Sequence, residues 1–122
     1  MWNVENLEVY HRAVKLRNEL KKVALKFPKF EMYELGSQLR RSVASISANM
    51  CEGALTKTVE YYVSYLHNAI GSASETKHHI VDAFDSGYIS LEDKKRYSKE
   101  IDEIIRMINA VISFLKKRVE KL

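Results

Sequence analysis

The chain holds one cysteine, one proline and four glycines among 122 residues, and each scarcity removes a class of structure. A lone cysteine permits no internal disulfide and no zinc site built on cysteines, and Cys51, among small neighbours, reads as an apolar filler rather than a nucleophile. Scarce Gly and Pro, plentiful Ala, Leu, Lys and Glu, and no sustained apolar–polar alternation argue against strands and for helices. No apolar run approaches the roughly eighteen residues of a membrane span. The first residues carry Glu5, Glu8 and His11, which does not suit a secretory signal. The expectation is a soluble, cytoplasmic protein with no membrane partner. The length suits one domain, 1–122, around one core.

Catalytic patterns are missing as well. No glycine-rich phosphate loop, zinc spacing or nucleophile–base set occurs. Two Glu-x-x-His tetrads, Glu8 to His11 and Glu75 to His78, evoke the di-iron sites of helical bundles. The first and third helices of such a bundle run parallel, with Glu8 at the start of one and Glu75 well over halfway along the other, so the tetrads fall roughly 25 Å apart along the bundle, too far to share metal ions. His78 and His79 read as a solvated pair. No enzyme activity, metal or cofactor is expected.

What is present is helical periodicity. Four segments are predicted, at about 7–27, 31–52, 58–86 and 91–121. Asn6 is the expected cap of the first, whose apolar stripe runs Tyr10, Ala13, Val14, Leu20, Val23, Ala24, Phe27, broken by Arg17. Phe27-Pro28 ends it, because proline disfavours helical geometry at the residue before it. Gly53 and Gly87 are the expected stops of the second and third helices. Ser90 caps the fourth, with Asp93 three residues on. In that last helix Tyr97, Ile101, Ile104, Ile108, Val111 and Leu115 alternate by four and three, a coiled-coil-like seam. Short joints force antiparallel neighbours, so the fold class is all-α, an up-down-up-down four-helix bundle.

The second helix has three faces instead of two. Beside the apolar line Leu35, Leu39, Val43, Ile46 and Met50 run a polar, mostly uncharged line (Gln38, Arg41, Ser45, Asn49, Glu52) and a small one (Ser37, Ala44, Ala48, Cys51). The third helix carries its own polar line: Ser64, Asn68, Ser72, Glu75, His79 and Asp82. A turn centred on residue 55 would place Arg41 level with Ile70 and Gly71, and Gln38 level with Ala73. Such faces have too few Lys and Glu for a purely solvated exterior. They predict a polar seam and oligomer interface made by Gln38, Arg41, Asn49, Glu52, Asn68, Ser72 and Glu75, with Arg41 as hub about one turn from Glu75. The rival role for Arg40 and Arg41 is phosphate binding.

Charge is unevenly spread. Residues 1–30 carry seven Lys/Arg against three Glu, and 91–122 carry nine against six acids, whereas 58–90 carry one Lys against four acids. With the first and last helices side by side, Arg12, Lys15, Lys22, Lys26, Lys95, Lys99, Lys116 and Lys117 form a basic flank. Lys116 and Lys117 would approach the Arg12 end, and Lys95 and Lys99 the Lys22 end. Such a flank suits an RNA or DNA backbone. Without exposed aromatic clusters to stack bases, the expected contact is sequence-independent.

"KFPKFEMYELGSQLRRSVASISANMCEG" followed by "AIGSASETKHHIVDAFDSGYIS" resembles the four-helix-bundle proteins encoded in 23S rRNA intervening sequences. The matching pattern is Phe-Pro, then Glu, Tyr and Leu, Gln-hydrophobic-Arg-Arg, Ser-Ile-x-Ala-Asn, Glu-Gly, and later Gly-Ser, Glu and a Gly-Tyr-Ile turn. Leu7, Val9 and Tyr10 match its opening. Two departures stand out: Ser47 replaces the family's proline, which removes the cause of a kink, and Lys77 replaces a second acid after Glu75. The resemblance implies a homo-oligomer, a ring of five, without enzymatic activity. The accessory proteins of diversity-generating retroelements are similar bundles, which implies nucleic acid and a reverse transcriptase as partners.

Overall fold

The computed structural model describes residues 2–120 as four helices: α1 (Glu8–Leu25), α2 (Leu35–Ala54), α3 (Val59–Asp85) and α4 (Leu91–Glu120). Two single-turn 3-10 segments, Val4–Asn6 and Lys29–Glu31, precede α1 and α2. Each helix packs on the next and α1 returns to α4, so the bundle is antiparallel, with its loosest side between α1 and α4. The expected end of the fourth helix at 121 lies outside the described residues. No helix among them is long and apolar enough to cross a membrane.

Burial follows the apolar periodicity. Leu39, Val43, Ile46 and Met50 of α2 are buried, as are Tyr62, Leu66, Ala69, Ala73 and Ile80 of α3 and Tyr97, Ile101, Ile104, Ile108 and Leu115 of α4. The stripe of α1 is rotated from the expected one. Val9, Ala13, Leu16, Leu20 and Ala24 face the core, while Tyr10, Val14 and Arg17 are half-buried at its edge. Arg17 therefore does not interrupt the core.

The helix ends correct several expectations. Asn3, not Asn6, is the capping side chain at the amino end: its Oδ1 accepts from the Glu5 amide at 3.0 Å, Asn6 closes the 3-10 turn, and Leu7 is the N-cap of α1. Helix α2 starts at Leu35 rather than Glu31. Glu31 sits in the 3-10 turn, and its carboxylate accepts from the Leu35 amide at 3.4 Å and from the Tyr88 hydroxyl at 2.7 Å. It thus caps α2 from a turn upstream and ties the α1–α2 connection to the α3–α4 turn.

Gly87 is the stop expected of it. At φ 81° it occupies the left-handed region, with its amide bonded to Phe84 O and the Tyr88 amide to Ala83 O, a Schellman closure. Gly53 is not a stop, because α2 runs through it to Ala54 and its φ is not positive. Its role is steric: a Cβ there would lie 2.8 Å from Tyr65 Cβ and 2.9 Å from Tyr62 Cδ1. Gly53 lets α3 cross close to the last turn of α2.

Candidate functional site

The surface between α2 and α3 is built on hydroxyls. Thr76 Oγ1 donates to Ser42 Oγ at 2.9 Å and Ser72 Oγ to Ser45 Oγ at 2.8 Å, while Asn49 Nδ2 donates to Ser45 O at 2.8 Å. These pairs set the register about six residues further along α3 than a turn at residue 55 implies. The extension of α2 to Ala54 and the later start of α3 account for part of this shift. Arg41 is therefore level with Thr76 and Lys77, next to Glu75, rather than with Ile70 and Gly71.

Of the expected seam, Ser72 and Asn49 join this ladder. Gln38, Arg41 and Glu75 line an open cleft above Ser42, Ser45 and Ser72. Glu52 and Asn68 are exposed and take no side-chain hydrogen bond among the described residues. Within one chain the seam is thus not buried, and Arg41 is exposed with no ion pair among the described residues. The hub contact to Glu75 is absent; Glu75 instead faces His79 Nε2 at 3.4 Å. Ser42 and Thr76, which carry the buried part, look in sequence like breaks in apolar stripes.

His79 also departs from its expected solvated position. It is 6% exposed, and its Nδ1 is buried without a hydrogen-bond partner among the described residues. It shares the buried face of α3 with Thr76, Ile80 and Ala83, while its neighbour His78 remains exposed.

The exposed side of α3 presents Ser64, His67, Asn68, Gly71, Ser74 and Glu75. The one Lys of this helix, Lys77, is turned to α4 and donates to Asp102 at 2.8 Å. Gly71 is open: a Cβ added there would meet nothing within 4 Å. A glycine in a helix interior costs about 1 kcal/mol relative to alanine, and no contact among the described residues accounts for that cost.

On the opposite side, α1 and α4 frame a groove whose charged lining is nearly balanced, with Arg12, Lys15, Arg96 and Lys99 against Glu19, Glu100 and Glu103. Arg12 is not free for a phosphate. Its guanidinium grips both Glu100 oxygens, with Nε to Oε2 at 3.0 Å, and lies 3.9 Å from Glu103. The hydrogen bond that Arg12 donates to Glu100 is the main reason its pKa is raised above the ordinary arginine value. Glu103 is held below the ordinary carboxyl value, chiefly by its hydrogen bond from Arg106.

These pairs fix the α1–α4 register. Arg12 faces Glu100 and Glu103, and Glu19 faces Arg96 at 4.0 Å, so Lys116 and Lys117 lie beyond the start of α1 rather than beside Arg12. Lys15, Lys22, Lys26, Lys95, Lys99, Lys116 and Lys117 are all exposed, with no ion pair among the described side chains. By the same register Lys95 falls toward the Lys22 end, whereas Lys99 lies beside Lys15 in the groove rather than near Lys22.

Exposed rings are what the sequence reading missed. Phe30 is 72% and Tyr33 86% exposed, both in the α1–α2 connection, and Tyr61 is 65% exposed at the start of α3. Tyr62 is buried against Trp2, with ring centres 5.1 Å apart.

The fold is similar to a crystal structure of a protein of unknown function from the S23 ribosomal protein family of Bacteroides thetaiotaomicron. The TM-score is 0.80 at 19% identity, over 86% of this chain and 95% of that one. No curated protein matches the chain. The model of the 23S rRNA-intervening sequence protein family matches residues 5–110. That match spans the Glu31 cap, the Ser–Thr ladder and the Gly87 turn, and by it the chain belongs to the 23S rRNA-intervening sequence protein family.

Proposed function

We propose that this protein is a non-enzymatic homo-oligomer, a ring of five, that binds the nucleic-acid backbone. By its resemblance to retroelement accessory proteins, it would serve a complex of RNA or DNA with a reverse transcriptase. The division of the surface carries this reading. Free lysines are displayed on α1 and α4, while the exposed side of α3 offers small and polar residues, with Glu75 but no lysine, around an unfilled Gly71. Copies packing through α2 and α3 would bring Gln38, Arg41, Asn49, Glu52, Asn68, Ser72 and Glu75 into contact and bury the open cleft. The same packing would leave the lysines facing outward, multiplied by the number of copies.

Phosphate contacts release counterions, so affinity should fall linearly with salt on a log–log scale, by about 0.7 to 0.9 per contact. The test joins light scattering to oligonucleotide binding across a salt series. Reversing Lys15, Lys22, Lys95 and Lys99 to Glu should abolish binding and leave helicity and oligomer size intact. Arg12 is left out because it holds Glu100. A monomer at micromolar concentration refutes the assembly. An oligomer that binds no nucleic acid even at low salt refutes the binding, and leaves a protein-interaction ring, the reading that the balanced α1–α4 groove favours.

A further inference from the structure

The α1–α2 connection joins two features that folding alone does not require. Its backbone is held firmly. Glu31 N bonds to Pro28 O at 2.9 Å, Met32 N to Lys29 O at 3.1 Å, and Arg40 Nη2 donates to Met32 O at 2.9 Å. The Tyr88 hydroxyl clamps Glu31, and the Tyr88 ring lies 5.4 Å from that of Phe27. Gly36 brings the connection against α2, for a Cβ there would lie 2.9 Å from Glu31 O. On this fixed segment Phe30 and Tyr33 stand in solvent, with Leu25 71% exposed at the adjoining end of α1. Phe30 and Tyr33 are three residues apart in a stretch that begins as a 3-10 turn. Phe30 lies in the 3-10 turn, which ends at Glu31, and Tyr33 in the turn that leads into α2, so one short connection displays both rings.

The electrostatic surroundings choose the occupant. Residues 21–41 hold six cations (Lys21, Lys22, Lys26, Lys29, Arg40, Arg41) against two carboxylates. One of these, Glu31, is already engaged by Tyr88, which leaves Glu34. Rings beside lysines on a rigid segment are the arrangement by which proteins hold single strands: bases stack on aromatic faces while cations follow the backbone. A duplex offers no unstacked base to such rings.

We infer that the connection carrying Phe30 and Tyr33, flanked by Lys22, Lys26 and Lys29, is a stacking platform for single-stranded nucleic acid. The inference rests on the nucleic-acid reading above and adds the class of strand and the segment that holds it.

The test measures fluorescence anisotropy of a labelled single-stranded oligothymidine and of a labelled duplex of equal length, at several salt concentrations. F30A/Y33A should weaken single-strand binding roughly tenfold or more, since each stacked base contributes about five- to hundredfold. Duplex affinity and the salt slope should stay unchanged, and Phe30→Trp should retain single-strand affinity. Equal loss on both probes, or no loss on the single strand, overturns the inference while the binding proposal stands. If wild-type protein binds neither probe, the binding proposal falls and the platform with it. Loss of oligomer size in the double variant would make the rings a contact between copies. Capture of wild-type protein, but not of the double variant, by phosphatidylserine–phosphatidylcholine vesicles, with oligothymidine binding unmoved, would make the segment a membrane contact. Either of these two results also overturns the inference.

Discussion

Replacing Gly53 by alanine tests the closest approach between two helices. The added Cβ would lie 2.8 Å from Tyr65 Cβ and 2.9 Å from Tyr62 Cδ1. The first of these atoms is attached directly to the α3 backbone, so no rotamer change can move it away. The second belongs to a ring only 1% exposed, with the Trp2 ring 5.1 Å away to limit its retreat. Relief must come from parting α2 and α3, and overpacking of this kind costs about 1–3 kcal/mol. Removing a glycine from a helix returns about 1 kcal/mol. Two rigid contacts place the steric cost in the upper part of its range, for a net loss of about 1–2 kcal/mol. For a chain of this size that lowers the melting temperature by roughly 4–8 °C. Circular-dichroism melts and urea titrations of dilute protein measure it. Gly71→Ala is the matched control: with nothing within 4 Å, it should gain about 0.5–1 kcal/mol under the same conditions and weaken assembly at higher concentration. A neutral or stabilising Gly53→Ala would refute the close approach. A Gly71→Ala that stabilises the chain and assembles as before would remove the reason given for an exposed glycine.

Arg12→Ala should destabilise the chain by about 1 kcal/mol, because it strands Glu100 after losing a bidentate, half-buried pair, and it should barely change any salt slope of binding. Arg41→Ala should change the stability of dilute protein by less than about 0.5 kcal/mol, since Arg41 is exposed and has no ion pair among the described residues, while reducing oligomer size on dilution. Stability should fall in alkali. Burial pushes Tyr62 and Tyr97 above the ordinary value of 10, and the hydrogen bond to Glu31 raises Tyr88. A raised folded pKa favours the neutral hydroxyl in the native state, so this contribution is complete below the unfolded value and is lost as pH climbs through the folded ones. Urea midpoints taken on both sides of pH 10 read the decline, and Tyr62→Phe should make it shallower.

The bundle was legible because α2, α3 and α4 each carry one dominant apolar period. Helix α1 has two overlapping stripes that share Ala13, Leu20 and Ala24, and the local pattern does not say whether Leu16 or Arg17 completes the inner one. Gly53 and Gly87 send the same local signal near a predicted helix end. Only the Tyr62 and Tyr65 side chains, across the turn, distinguish a glycine that permits contact from one that ends a helix. The start of α2 was misplaced for a similar reason. Glu31 looks like a first-turn acid, yet its carboxylate is held by Tyr88, 57 residues further on.

The candidate site was harder to read because its chemistry depends on register. Eight cations share a sign, but sign does not say which of them is already satisfied. Arg12 and Lys15 are one turn apart on α1, and only the level of α4 reveals that Glu100 and Glu103 meet Arg12 while Lys15 remains free. A shift of one turn between these helices would reverse their roles. The aromatics pose the same problem in burial. Phe27, Phe30 and Tyr33 look alike as candidates for the end of a core, yet Phe27 is 7% exposed while Phe30 and Tyr33 are among the most exposed large side chains of the protein. Pro28 separates them: extended at ψ 146°, it turns the chain out of α1 after Phe27 has packed on Tyr88. The turn that closes the core therefore carries the next two rings into solvent beside the lysines of the last turns of α1. One local geometry completes the hydrophobic interior and creates the exposed aromatic surface, so a substitution that straightens this turn should disturb both, whereas Phe30→Ala and Tyr33→Ala should disturb only the second.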